Sequence, residues 1–216
     1  MIREMIEGAN SMRRIRDAAL ILLAVGFAAG CGASRPVKYF ALEIPQTPAA
    51  AQPSSAQFPV TLLVARVAST HLYRDDRLVY GVSAEELGTY EYARWAEPPV
   101  DMIQDSLIAS LRSTKQFRSV SAVASNLRGD YLVRAHLQAL DEIDKPQVAA
   151  RFAMEIDLYD PKSATTVWSD SYSHDEPVQG KKVEDVVAAL DQNVKTGMSQ
   201  LASGLSQYFA SHPPQK

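Results

Sequence analysis

The side chains with reactive or titratable chemistry are few and scattered. Cys31 is the only cysteine among 216 residues, so no disulfide forms within the chain. The histidines, His71, His136, His174 and His212, show no metal-ligand spacing. Asp75 and Asp76 beside His71 would suit metal or acid–base chemistry, and a solvated charged loop explains them more simply. Ser83 and Ser106 lie in no nucleophile elbow, and no glycine-rich phosphate loop follows a strand. The residue types therefore supply no catalytic constellation and call for no cofactor or metal. The exception is the thiol of Cys31, which closes an uncharged run from Ala18 to Gly30. Acylated there, it would hold the chain at a membrane.

Arg13, Arg14 and Arg16 precede that run. The run is too short to span a bilayer comfortably, which takes roughly 20 residues. A basic start, a short apolar middle and small residues at the end mark a secretory signal. Met12, directly before the basic cluster, is a second candidate start. Ala28-Ala29-Gly30-Cys31 resembles the bacterial lipobox, with Ala28 where leucine is usual. That resemblance implies lipidation of Cys31 and cleavage before it, so that residues 1–30 form a lipoprotein signal peptide. The alternative is a plain signal with an incidental cysteine. Lipoproteins of this kind usually carry three acyl chains, and two suffice for stable anchoring. Gly32, rather than aspartate, follows Cys31. By the same likeness it implies sorting to the outer membrane, facing the periplasm. Residues 31–36 then form a lipidated tether. Gly32 to Pro36 extends to about 17 Å at most, which keeps the folded part near the membrane.

Removing residues 1–30 takes away four arginines and three acids. The remainder has 18 basic and 22 acidic residues, a net charge of −4. Phosphate binding needs a basic face, so nucleic acid is not an expected partner. The hydrophobic content of 46% is that of a globular chain. One domain is expected over residues 37–210, with a disordered tail at 211–216.

The segment from Leu87 to Phe117 organises the domain. Tyr90, Tyr92 and Ala93-Arg94-Trp95 read as the end of an extended strand, which Pro98-Pro99 stops. Val100, Ile103, Leu107 and Leu111 then recur at helical spacing. Proline at the first helical position costs nothing, because that amide has no intrahelical partner. Strands are expected at Val37 to Ile44, Phe58 to Ala68, Leu78 to Tyr80 and Val120 to Val123. His71 to Arg77 reads as a charged loop. Tyr131, Val133, Ala135, Leu137 and Ala139 alternate with Arg134, His136 and Gln138, a half-buried strand. Ala150, Phe152, Met154, Ile156 and Leu158 repeat that pattern on the return, and Thr165 to Tyr172 closes a meander. Lys181 to Phe209 predicts a long helix with Val183, Val186, Val187, Leu190, Val194, Leu201, Leu205 and Tyr208 in one stripe. Gly197 and Gly204 at its edge would allow close approach to the sheet. The expected fold is α/β (α+β): a single mixed, mainly antiparallel sheet packed by two helices.

The order of elements resembles the ABC-type transport auxiliary lipoprotein family, which includes the paraquat-inducible protein C group. The residues that carry the likeness are Cys31, Tyr39-Phe40-Ala41-Leu42, Leu78-Val79-Tyr80 and above all Arg94-Trp95-Ala96-Glu97-Pro98-Pro99. Leu107, Leu111 and Phe117-Arg118-Ser119-Val120 continue it, and Gly81 stands where many relatives have a basic residue. The resemblance implies a non-enzymatic outer-membrane lipoprotein serving an ABC/MCE-type intermembrane lipid-transport system. Its partners would be an MCE-domain protein and, through it, an ABC permease and ATPase. A homo-oligomer would suit docking to such a component. Arg94, Trp95, Glu97, Pro98 and Pro99 are the candidate partner-binding residues. Each has a structural alternative: Trp95 as a core residue at the corner, Arg94 and Glu97 as a mutual pair or a helix cap. A stand-alone lipoprotein binding an apolar ligand between the long helix and the sheet is the second reading, and an envelope hydrolase the third.

Overall fold

The computed structural model describes residues 35–44, 56–81, 86–124, 127–144 and 147–214. The signal peptide, Cys31, the first part of the tether and Ser83 lie outside the described residues. The folded unit begins at Val37.

Its spine is β7 (Tyr131–Ile143), a strand whose alternation leaves one face apolar. Along one edge β8 (Ala149–Asp160) pairs antiparallel, and β9 (Thr165–Pro177) pairs antiparallel with β8. Along the other edge three short strands follow in file, all parallel to the spine. β2 (Phe58–Val64) lies against Tyr131–Val133, β3 (Ala68–Ser69) against His136–Leu137, and β4 (Arg77–Gly81) against Asp141–Ile143. Two arms extend from this file. β6 (Phe117–Ala122) adds parallel to β2, making the first arm. β5 (Leu87–Trp95) adds antiparallel to β4, and β1 (Lys38–Phe40) parallel to β5, making the second. The sheet is mixed; most of its residue pairs sit in the antiparallel meander β7–β8–β9.

Two helices cover the apolar face. In α1 (Pro99–Ser113), Val100, Ile103, Leu107 and Leu111 are all buried, as their spacing predicts. In α2 (Val183–Ser211) the stripe from Val186 to Leu205 is buried. The backbone amides of Lys181 and Lys182 both donate to Asp185 Oδ2, at 3.1 and 3.0 Å, which satisfies donors at the helix start. At the other end Phe209, rather than Tyr208, is the fully buried ring. It stands 5.6 Å from Phe58, 5.6 Å from Phe117 and 5.2 Å from Tyr131. Gly197 lets α2 close on the meander. A Cβ there would lie 2.7 Å from the Tyr172 ring and 2.8 Å from that of Phe152. One turn earlier, the buried Asn193 donates to the Ala150 and His174 carbonyls, both at 2.8 Å, and accepts from Tyr172 at 2.7 Å. Nothing in the apolar pattern signals this polar cross-link between α2 and two strands.

Several expected elements differ in extent. The strand from Val37 ends at Phe40, because the Glu43 amide leaves the sheet to donate to Asp191 Oδ1 at 2.7 Å. The apolar run from Phe58 breaks after Val64 and resumes at Ala68, so that one segment pairs with β7 at two places. The loop after Thr70 contains a short 3-10 turn, His71–Tyr73, and buries Tyr73. In β7 a bulge between Leu137 and Ala139 reverses the alternation. Leu140, not Ala139, therefore pairs with Phe152 on the apolar face, and Asp141 falls on the outer face opposite Arg151.

Candidate functional site

The stretch from Arg94 to Pro99 forms the corner between β5 and α1, and Asp76 clamps it twice. The Trp95 amide donates to the Asp76 carbonyl at 2.6 Å, and Arg94 Nη1 donates to Asp76 Oδ1 at 2.6 Å. On the other side the Ala96 amide donates to the Phe40 carbonyl at 2.6 Å, so β1 carries the pairing one residue past the end of β5. The chain then has two consecutive residues without an amide hydrogen. Pro98 and Pro99 occupy the cap and first positions of α1, where a free N–H would have no intrahelical acceptor. The Pro98 carbonyl accepts the Asp101 and Met102 amides, at 3.0 and 3.3 Å, which starts the first turn.

The candidate partner-binding residues divide by environment. Trp95 is 1% exposed and belongs to the core, and its indole Nε1 has no acceptor among the described residues. Pro99 is buried, and Arg94 and Pro98 are half-buried. Glu97 is exposed beside Ala96. The partner of Arg94 is Asp76, not Glu97. Asp101 in the first turn of α1 faces Arg66 at 3.4 Å. The corner is thus a structural joint with a small exposed tip.

A second feature lies between the two helices. A groove of about 190 Å³ is lined by Leu42, Val194 and Met198 among others. The hydroxyls of Ser106 and Ser110 on α1 line one wall, and Ser110 donates to the Met198 carbonyl at 3.1 Å. At one end Lys195 holds Glu43 at 2.5 Å and Asp191 at 2.8 Å. These two carboxylates, Asp191 first, raise the Lys195 pKa above its ordinary value. The ammonium is thus already committed. The Asp191–Lys195 spacing of four was visible in the sequence; the contribution of Glu43 was not. A larger cavity of about 440 Å³ is rimmed by charges of both signs, Arg118 and Lys162 against Asp130 and Asp160.

On the outer face of the sheet a polar row crosses three strands. Tyr73 donates to Asp141 Oδ2 at 2.7 Å, and Arg151 holds Asp175 through two bonds of 2.8 and 3.0 Å. Asp141 is buried, and burial raises its pKa although Tyr73 and Arg151 pull it down. Its Oδ1 has no partner among the described residues. Tyr90 donates to Glu142 on the neighbouring position, and burial first, then that carboxylate, raises the phenol's pKa. No group of three His, Cys, Asp or Glu side chains with metal-binding geometry occurs among the described residues. No helix among them is long and apolar enough to cross a membrane.

The sequence model of the ABC-type transport auxiliary lipoprotein component matches residues 40–202. The chain belongs to this family. The match runs from the last residue of β1 into α2, so it covers β2 to β9, α1, most of α2, the corner and the groove. This auxiliary lipoprotein is accordingly a transport-associated protein of the cell envelope, held at a membrane. No curated protein matches it. Among solved structures it is similar to protein XCC0632 from Xanthomonas campestris, at 20% identity and a TM-score of 0.70 over 81% of this chain and 99% of that one. It is also similar to an uncharacterised protein, at 14% identity and a TM-score of 0.61 over 79% and 99% of the two chains. At these identities the likeness extends to the fold.

Proposed function

We propose that this auxiliary lipoprotein is a non-catalytic outer-membrane subunit of an ABC/MCE-type intermembrane lipid-transport system. It docks the periplasm-spanning MCE component at the outer membrane and, through it, connects to the ABC permease and ATPase. The observation that carries this reading is the family match across the folded unit. Cys31 and Gly32 support the anchor and its destination. Strand direction supports docking close to that anchor. β1 runs parallel to the end of β5, with Lys38 beside Ala93 and Phe40 beside Trp95. The exposed tip at Ala96 and Glu97 therefore follows the tether's entry into the sheet by only about 10 Å. Capture of the native protein from detergent-solubilised envelopes is expected to recover an MCE-domain partner. Recovery of none, with the anchor intact, would overturn the reading. Cys31→Ser is expected to leave the fold intact and to release the protein from the membrane or trap its precursor.

The groove between the helices supports a second reading, a carrier of an apolar ligand. Its volume is below the roughly 300–1,000 Å³ of small-molecule sites, so it would hold a segment of an acyl chain, not a whole lipid. Organic extraction of the purified protein tests this: stoichiometric lipid supports the carrier, and a lipid-free extract removes it.

A further inference from the structure

The larger cavity, of about 440 Å³, lies at one end of the sheet. β2, β6 and β7 run parallel and therefore start at the same end, and β8, antiparallel to β7, finishes there. The residues at these strand ends are charged. Arg118 follows Phe117 at the start of β6, Asp130 precedes β7, Asp160 closes β8, and Lys162 stands in the turn to β9. These four make up half of the residues that line the cavity, and their charges sum to zero. Arg128, two residues before Asp130, is exposed and does not line it. The volume falls within the roughly 300–1,000 Å³ of small-molecule sites.

The four charges do not neutralise one another. Among the described residues no ion pair joins any two of them. Three are tied to neutral groups instead. The Asp130 amide donates to the Thr61 carbonyl at 2.9 Å, and Asp130 Oδ2 accepts the Thr61 amide at 2.7 Å. Asp160 Oδ1 accepts the Lys162 amide at 2.8 Å, and its Oδ2 accepts the Ser163 hydroxyl at 3.1 Å. Arg118 Nη2 donates to the Pro59 carbonyl. These bonds fix where each charge stands and leave the charge itself unbalanced. A carboxylate and a guanidinium each form more hydrogen bonds than these, so capacity remains for a ligand. The Lys162 ammonium has no partner among the described residues. The helix groove is different, because its Lys195 already holds two carboxylates. Burial first, then Asp160, with Tyr208 and Asp130 after it, raises the pKa of the Tyr131 phenol. Both carboxylates therefore act on one part of the cavity wall.

A cavity with two unbalanced cations and two unbalanced anions is complementary to a molecule that carries both signs. An acyl chain would leave all four charges without a partner. A guanidinium and an ammonium together suit an anion with several oxygens, as phosphate has. Two carboxylates beside a tyrosine ring suit an ammonium. We propose that this cavity binds a small zwitterion of the phosphoethanolamine class, with Arg118 and Lys162 on the phosphate and Asp130 and Asp160 on the ammonium. That chemistry occurs both in the free molecule and in a phospholipid headgroup. The site shares no residue with the corner or the helix groove, so it does not rest on the docking reading.

The test is titration calorimetry on the full-length protein in a non-ionic detergent, with sn-glycero-3-phosphoethanolamine as the probe. It is expected to bind about tenfold more tightly than glycerol 3-phosphate or ethanolamine, each of which meets only half of the charges. Lys162→Gln is expected to weaken the zwitterion and glycerol 3-phosphate alike, by about tenfold, and to leave the urea midpoint unchanged. Asp160→Asn is expected to weaken the zwitterion by a similar factor without weakening glycerol 3-phosphate. Repeating the titration in micelles that contain phosphatidylethanolamine assigns the source. Loss of probe binding there means that the site takes the lipid headgroup, and unchanged binding that it takes the free molecule. No saturable binding up to about 10 mM probe overturns the site. Equal affinity for the zwitterion and for glycerol 3-phosphate overturns the ammonium half and the zwitterion assignment with it. Binding that survives both substitutions overturns the placement in this cavity.

Discussion

The two arms of the sheet grow from the same edge of β7, yet they are built from different chemistry. The arm of β2 and β6 is a dry apolar wedge. Phe58, Val60, Leu62, Val64, Phe117 and Val120 are buried there, and Phe209 of α2 inserts among the rings. The arm of β4, β5 and β1 adjoins polar groups of the spine. Asp141 and Glu142 of β7 accept from Tyr73 and Tyr90, and the indole N–H of Trp95 has no acceptor among the described residues. Each arm carries one irregularity. The pairing of β4 with β5 slips between Arg77 and Val79, and that of β2 with β6 slips between Phe58 and Thr61 before running in register to Val64. The polar arm carries the corner between β5 and α1. Burial of unpaired polar groups opposes stability, and each arm holds one such atom among the described residues, Gln116 Oε1 beside Phe117 and Trp95 Nε1 at the corner.

The largest test of this contrast is Phe209→Ala. Phe209 is fully buried, and its ring contacts span both strands of the dry arm and β7. Truncation is expected to cost about 3–5 kcal/mol, measured by urea unfolding. A loss under about 1 kcal/mol would mean that the wedge collapses around the gap and is not the rigid part.

Trp95→Phe tests the other arm at a residue just as buried. The indole N–H has no acceptor among the described residues, so its loss removes a desolvated donor while the smaller ring loses some contact. The two effects oppose, and a net change within about 1.5 kcal/mol is expected in the same unfolding assay. A loss above about 3 kcal/mol would erase the distinction between the arms.

Asp141→Asn probes the polar arm by pH. Burial holds the native carboxyl above its ordinary pKa. The folded state therefore binds this proton more readily than the unfolded chain does. The group's favourable contribution is complete below the ordinary value near 4 and is lost as pH rises through the raised native value. Asparagine has no such dependence and can still accept from Tyr73. The stability difference is expected to favour the asparagine variant most at neutral pH and to move toward the natural protein on acidification. Urea midpoints of both proteins across that range measure it. A constant difference would show that Arg151 keeps Asp141 ionised without penalty.

The dry arm was legible in the sequence because apolar runs and helical spacing report burial directly. Phe58 to Val64 and the four α1 positions from Val100 to Leu111 are examples. The polar arm was less so, because its order depends on partners distant in the chain. Asp76 is 18 residues from Arg94, and Tyr73 is 68 from Asp141. One signal was present and easy to misread. Leu137, Leu140 and Asp141 break the strand alternation, and the bulge there is what keeps Asp141 off the helix-covered face. Asn193 shows the converse, a polar residue inside an apolar stripe whose three acceptors and donors come from β8 and β9.

The smallest expected stability effect decides what the corner is for. Glu97 is exposed, and its expected pairing with Arg94 is replaced by the bond between Arg94 and Asp76. Glu97→Ala is therefore expected to change stability by no more than about 0.5 kcal/mol. The helix keeps its start, since Pro99 remains in place and the Pro98 carbonyl still accepts two amides. A structural role for this side chain would show in the unfolding curve alone. A docking role would leave that curve in place and lower the recovery of the MCE-domain partner from solubilised envelopes. Equal recovery from both proteins would confine the corner's role to joining β5 to α1.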